Sequence, residues 1–325
     1  MSSVTSRTVR FHSYGEPADV LIEETTQIPD PPAGRVRVRV IATGLNPADW
    51  ELCRGFMPGT LPRGIGSDVS GTIDAIGEGV TGVSVGDTVF GSADFAGQSS
   101  AGAADFAILR SWFPVPEGLD PIAAATLPMV VTTAVWTLDL MDLHPGKTLL
   151  VHGAGGMVGY AVVQVALSRG ALVIATAGPT FTGDLEGFGA IVTPYGEGMA
   201  ARVRELAGGD VDFVLDVARL SKGTLPDLIA LAGGDPKHVV TITNHDEARR
   251  LGARVNIDEL LASGQFPDSG ILNDYARHAA TGEFRLPIAR TYPLDGWREA
   301  MKLSVSGSPH GKLVLLPAGG NSTTR

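Results

Sequence analysis

The chain has 325 residues, 44% of them hydrophobic and 6% aromatic, with 42 glycines, which suits a two-domain α/β protein with many tight turns. A formal net charge of −10 excludes nucleic acid as a main partner, because a phosphate backbone is bound by a basic surface. A single cysteine excludes a disulfide framework and a multi-cysteine metal site.

Residues 1–10 lack the apolar core of a signal peptide, so the expectation is a soluble cytoplasmic protein. Arg35-Val-Arg-Val-Arg-Val40 alternates strictly, the mark of a half-exposed strand. Asn46-Pro-Ala-Asp49 is good turn and N-cap chemistry, and Cys53 reads as a small loop hydrophobe. Residues 69–76, 88–90 and 104–109 read as short strands between turn signals such as Gly77-Glu-Gly79 and Val85-Gly-Asp87. The first 119 residues thus form a β-rich, barrel-like lobe. From Asp120 the pattern turns helical, and 122–142 reads as one helix. Strands at 148–152, 171–176, 190–193, 211–217 and 238–243 alternate with helices, so 120–265 holds a parallel sheet. The helices 271–282 and 295–305 and the strands 286–292 and 312–316 return to the first lobe, which therefore comprises 1–119 and 266–325. The tail after Pro317 reads as disordered.

The most informative segment is 148–177. Leu149-Leu-Val151 is an apolar strand of the kind a buried parallel sheet requires. The turn that follows, Ala154-Gly155-Gly156-Met157-Val158-Gly159, fits the pattern G-x-G-x-x-G with Ala154 in the first glycine's place. Gly156 lets the backbone approach a pyrophosphate, and Gly159 lets the helix pack closely on the strand. Val158, Val162 and Val163 give that helix a buried surface, and Gly170 stops it. Strand, loop, helix and strand together place a dinucleotide pyrophosphate on a helix N-terminus. A membrane span competes for the same apolar run, but four glycines cluster in its first half, and a covered parallel sheet is as hydrophobic without lipid. His152 reads as a packed strand-end residue.

An NAD site usually carries Asp or Glu at the end of the second strand, on the ribose 2′-hydroxyl. Here Thr176-Ala177-Gly178-Pro179-Thr180 holds no acid, and none follows until Asp184, so NADPH is favoured. The basic residue expected for a 2′-phosphate is missing too. Thr176, Thr180 and Thr182 offer hydroxyls, and Arg219 or Lys222 offers charge from the loop after the fourth strand.

The order of motifs resembles the medium-chain dehydrogenase/reductase superfamily. The segments that carry the resemblance are Gly44-Leu-Asn-Pro-Ala-Asp49, Gly66-Ser-Asp-Val-Ser-Gly71, Gly77-Glu-Gly-Val80, Val85-Gly-Asp-Thr-Val-Phe90, Thr132-Thr-Ala134, the Ala-x-Gly-x-x-Gly turn and Gly311-Lys-Leu-Val314. They look most like its zinc-free quinone oxidoreductase (zeta-crystallin-like) branch. That resemblance implies an α/β protein with a β-rich GroES-like catalytic lobe and a Rossmann nucleotide-binding domain built on a doubly wound parallel sheet. Zinc-dependent relatives carry Cys near the 44–46 turn, a His-Glu pair where Ser67-Asp68 stands and a four-cysteine lobe, so no metal is expected here.

The reaction so implied is hydride transfer from NADPH to the C=C bond of a quinone or α,β-unsaturated carbonyl, with donors for the developing oxyanion. By the same resemblance, Asn46 and Asp49 lie beside the nicotinamide, Asn46 donating to a substrate oxygen and Asp49 orienting the loop. Phe56 and Met57 form an apolar pocket wall where relatives often have a tyrosine. Thr133 runs along the nicotinamide, Val217 and Ala218 lie near the adenosine, and Thr243 and Asn244 face the carboxamide. Met157 departs from the glycine usual at its position, while His310 and Lys312 read as residues of a terminal strand. A homodimer through an edge strand of the nucleotide domain is also implied. Two further readings stay open: an enoyl reductase acting on a polyketide-like intermediate, and an NADPH-binding structural protein with little catalysis.

Overall fold

A computed structural model describes residues 3–94, 98–219, 223–264, 270–307 and 309–317. Lys222, the tail after Pro317 and the expected domain seam at 265/266 lie outside the described residues. The chain divides into two units, Met1–Met129 with Ser269–Arg325, and Val130–Asp268.

The first unit opens with β1 (Ser3–Phe11) and β2 (Leu21–Pro29), an antiparallel pair. Next come β3 (Val36–Leu45), the helix Pro47–Cys53, β4 (Arg63–Gly64), β5 (Asp68–Ile76), β6 (Thr88–Ala93) and β7 (Phe106–Pro114). Val36, Val38 and Val40 point into the core formed with Val69, Ile73, Val89 and Leu109. The expected half-exposed strand is more covered than its alternation suggests. Arg37 is buried, its guanidinium donating to Asp74 and to the carbonyls of Ile28 and Pro29 on β2. At Arg37 the β2 strand takes the place of water, while Arg39 on the same face stays exposed.

The second unit holds β8 (Thr148–His152), β9 (Leu172–Thr176), β10 (Ile191–Thr193), β11 (Phe213–Asp216), β12 (Val239–Thr241) and β13 (Arg254–Val255). They form one parallel sheet in the order β10-β9-β8-β11-β12-β13. The order reverses between β8 and β11, and a doubly wound sheet binds ligands outside the carboxyl ends of its strands at such a point. Leu150, Ile174, Val214 and Val239 pack on Val203, Leu225 and Leu228 from the covering helices.

The chain then returns to the first unit with β14 (Ile288–Pro293) and β15 (Lys312–Leu316). Its larger sheet runs β14-β15-β3-β5-β6-β7, and β7 pairs back onto β3, closing a ring. β15 lies antiparallel to β3, with Leu313 opposite Leu45. The β-rich unit and the doubly wound unit are the α/β architecture expected.

Two local expectations need correction. The single helix over 122–142 is two, Pro121–Ala124 and Pro128–Leu140, because Pro128 has no N–H to continue a helix and suits the first turn of a new one. Cys53 is the last residue of the helix Pro47–Cys53 and fully buried, not a loop residue. Among the described residues no helix is long and apolar enough to cross a membrane.

Candidate functional site

Two sets of residues carry chemistry, one in each unit. In the second unit, β8 ends at His152 and the chain turns sharply at Gly153, whose φ is +95°. A Cβ there would lie 2.6 Å from Cα of Ala218, so position 153 admits only glycine. The tight-turn glycine is therefore Gly153, one residue earlier than the pattern match placed it. Ala154 is buried, and its N–H donates to the Thr176 carbonyl, tying the turn to the end of β9. A Cβ on Gly159 would meet the Gly153 carbonyl oxygen at 2.7 Å, so this glycine sets the close approach of helix to turn. Gly155 has the opposite character, with nothing within 4 Å of a Cβ built on it. The helix Met157–Ser168 starts after Gly156 with no side-chain cap, Met157 and Val158 filling its first turn. Uncapped amides beside open space are what an anion at a helix N-terminus requires.

A polar row underlies this turn along the carboxyl edge of the sheet. Thr176 is fully buried, its Oγ1 accepting the Gly153 N–H at 3.0 Å and lying 2.9 Å from His152 Nδ1. The Thr176 hydroxyl is committed to holding the turn, not to a ligand. Burial keeps the His152 imidazole below its usual pKa, as a packed strand-end histidine should be. Asp216, missed in the sequence, accepts from Thr241 Oγ1, Asn244 Nδ2 and the Ala218 N–H. Thr243 donates to the Ala218 carbonyl. The loops after β11 and β12, which carry Val217, Thr243 and Asn244, are thus laced together. Thr133 is half-buried on the helix Pro128–Leu140.

Past β9, a cavity of about 390 Å³ opens between Ala177, Gly178 and Thr182 on one side and Thr193, Pro194 and Tyr195 on the other. Thr180 is exposed on the first turn of the helix Pro179–Phe188. Asp184 accepts the Tyr160 hydroxyl at 3.0 Å.

In the first unit, β15 brings Lys312 beside the turn after β3. Its ammonium, 3% exposed, donates to Asn46 Oδ1 at 2.7 Å and lies 3.7 Å from Asp68 Oδ2. Asn46 Nδ2 donates to Asp68 Oδ2 at 2.9 Å and to the Gly44 carbonyl at 3.3 Å. Asp68 Oδ1 accepts from Ser67 Oγ and the Met129 N–H. Asp49 Oδ2 accepts the Asn46 N–H in a capping box, and its Oδ1 accepts the Gly66 N–H, so this carboxylate clamps two loops together. Burial pushes the Asp49 carboxyl up to about 6, against the pull of those two amides. Burial likewise raises Asp68 and lowers Lys312, each opposed by attraction to the other.

The sequence singled out Asn46 and Asp49 but not Asp68, and it read Lys312 only as a strand residue. Asn46 is 4% exposed with both amide hydrogens engaged inside the cluster, so in this arrangement it does not donate to a substrate oxygen. Phe56 and Met57 are 38% and 43% exposed. Among the described residues no three His, Cys, Asp or Glu side chains converge as metal ligands.

A barrel-like β unit joined to a dinucleotide-binding sheet defines an oxidoreductase architecture, and comparison with known proteins gives it a family. Residues 32–113 match the alcohol dehydrogenase GroES-like domain, and residues 188–315 match a family described as zinc-binding dehydrogenase. The chain belongs to the medium-chain dehydrogenase/reductase superfamily and is quinone oxidoreductase-like. It is 34% identical over 177 residues to a quinone oxidoreductase of Rattus norvegicus, an alignment spanning 53% of each chain. It is 33% identical over 291 residues to an erythronolide synthase of Saccharopolyspora erythraea, covering 87% of this chain and 8% of that one. The chain therefore matches about half of the first relative and a small part of the second. The CurK enoyl reductase shares the fold, with a TM-score of 0.77 at 23% identity over 96% of this chain and 99% of that chain.

Proposed function

We propose that this chain is an NADPH-dependent, zinc-independent reductase of the C=C bond in quinones or α,β-unsaturated carbonyls. The observation that carries the reading is the uncapped helix N-terminus beside Gly155, joined to a second strand that ends without an acid. When bound, the nicotinamide cofactor supplies a hydride, and the accepting carbonyl compound takes up a proton to balance it. The chain's own contribution is placement. Gly153 and Gly159 bring turn and helix together, and Thr176 and Asp216 fix the loops at the carboxyl edge.

The preference for NADPH rests on charge. The first acid after β9, Asp184, is held by Tyr160 of the preceding helix, so Thr176-Ala177-Gly178 offers no carboxylate to repel a 2′-phosphate. Zinc independence rests on the donor set. Asn46, Ser67 and Asp68 stand where the zinc-dependent relatives carry ligands, and a buried ammonium already lies against two of them. Cys53 is no ligand either, since its Sγ donates to the Asp49 carbonyl and burial pushes the thiol up to about 12. These groups do not fit a zinc ion.

The substrate class comes from the rat relative. The longer alignment with the erythronolide synthase favours a narrower version, an enoyl reductase acting on a polyketide-like thioester. The test is the loss of reduced-nicotinamide absorbance with a panel of quinones, enones and enoyl thioesters, with zinc content measured on the same sample. Turnover with quinones and simple enones supports the broad reading, and turnover confined to enoyl thioesters supports the narrow one. Tight NADPH binding without turnover across the panel would leave a binding protein in their place.

A further inference from the structure

We infer that His152 is a positioning residue for the dinucleotide turn: its neutral ring takes the Thr176 hydroxyl hydrogen at Nδ1 and so keeps the Thr176 oxygen on the Gly153 N–H. The inference rests on the dinucleotide reading above and assigns the set of that turn to one tautomer of one side chain.

The register comes first. Thr176 on β9, His152 on β8, Asp216 on β11 and Thr241 on β12 stand opposite one another, so four polar side chains form one row across four adjacent strands. All four are buried, with none more than 4% exposed. At one end of the row Thr241 donates to Asp216 at 2.9 Å, and at the other Thr176 and His152 meet at 2.9 Å. The glycine turn is gripped by the second pair. The Thr176 carbonyl accepts the Ala154 N–H at 2.9 Å, its Oγ1 accepts the Gly153 N–H at 3.0 Å, and the His152 carbonyl accepts the Val217 N–H at 2.9 Å.

The count of hydrogens comes second. Among the described residues Thr176 Oγ1 has two hydrogen-bond partners, the Gly153 amide and His152 Nδ1. The amide can only donate, so the hydroxyl's own hydrogen goes to Nδ1. An Nδ1–H, in the other neutral tautomer or in the imidazolium, would face the oxygen with a second donor. It would leave a fully buried O–H without an acceptor, which is the costly arrangement. His152 therefore carries its hydrogen on Nε2. Burial opposes the imidazolium as well, and it outweighs the attraction of Asp216, the carboxylate opposite the ring on β11.

An apolar side chain at 152 would fill the space and offer the hydroxyl nothing. The Thr176 side chain would then gain by turning its hydroxyl away about χ1, and Gly153, held at a φ of +95°, would lose the oxygen that fixes it. The sequence shows a histidine at a strand end and nothing of its partner. Thr176 lies 24 positions away, and only the register of β8 on β9 brings the two together.

The test has two arms. Nitrogen-15 NMR of the full chain labelled at histidine reads the tautomer, with His152→Asn identifying the signals. Nδ1 of His152 is expected as an unprotonated imidazole nitrogen and Nε2 as a protonated one, both unchanged from about pH 8 down to 6.5. The second arm is calorimetric titration with NADPH and with NADH. His152→Leu and Thr176→Val should each weaken both nucleotides by about tenfold and to the same extent, because the turn meets the pyrophosphate that the two share. The double variant should be no weaker than the weaker single one, since either change breaks the same link. His152→Asn, whose Oδ1 accepts in place of Nδ1, should stay within about threefold of the wild type. A protonated Nδ1 at about pH 7 overturns the inference and spares the coenzyme reading. Unchanged affinity in His152→Leu, losses that add in the double variant, or a His152→Asn as weak as His152→Leu do the same. A wild-type chain that binds neither nucleotide overturns the coenzyme reading and this inference together.

Discussion

Asp49 accepts from two backbone amides, yet burial wins and its carboxyl titrates at about 6 rather than 3.8. The sign of the consequence follows from linkage. Between these two values the folded chain keeps a proton that the unfolded chain has lost. This group's contribution to stability is therefore fully present below 3.8 and is lost as pH rises through about 6, by on the order of 3 kcal/mol. Asp49→Asn should flatten that part of the stability profile in urea titrations. Below about pH 4 it should also lower stability by about 1–3 kcal/mol, because an amide cannot accept from both the Asn46 and the Gly66 N–H, and that deficit should close as pH rises and the wild type loses its own contribution. A variant whose profile keeps the wild-type slope would show that another group carries it. Lys312 makes a second case. Lys312→Met leaves the Asp68 carboxylate buried without its cation, and removal of one member of such a pair costs about 3–5 kcal/mol. Adding Asp68→Asn should restore part of that loss, and a double-mutant cycle reads the coupling. Strict additivity would mean that the two side chains do not interact.

The glycine turn separates packing from binding within one element. Gly159→Ala drives a methyl to 2.7 Å from the Gly153 carbonyl, so the helix must lift off the strand. Both the melting temperature and the nucleotide affinity should fall. Gly155→Ala meets no atom within 4 Å, so its stability without nucleotide should match the wild type, while NADPH affinity drops by about tenfold or more. Unchanged affinity in Gly155→Ala would place the pyrophosphate elsewhere. This element was readable because its information is local, with strand, turn and helix set by consecutive residues. What escaped was the backbone angle. Spacing alone put Ala154 in the first glycine's place, whereas the positive φ and the approach to Ala218 fall on Gly153. Asp68 and Lys312 escaped for another reason. Lys312 meets a turn residue 266 positions away, and only the pairing of β15 with β3 brings them together.

At the scale of the molecule, the change of period near residue 120 foretold a barrel-like part and a parallel sheet, but β1 and β2 went unseen. Their polar residues interrupt the alternation, and much of the pair is exposed. The change of period places the seam at 119, while the first unit extends to Met129, since the helix Pro121–Ala124 packs on β3 and β5 of that unit. Because each unit has its own core, nucleotide binding should act chiefly on the unit that holds the contacts. Ligand at about a hundred times its dissociation constant stabilises the binding form by about 2.7 kcal/mol. Hydrogen exchange with saturating NADPH should therefore slow amides of β8, β9, β11 and β12 by up to about a hundredfold, with little change in β1 and β2. Protection rising in β1 and β2 alone would move the nucleotide site out of the parallel sheet altogether.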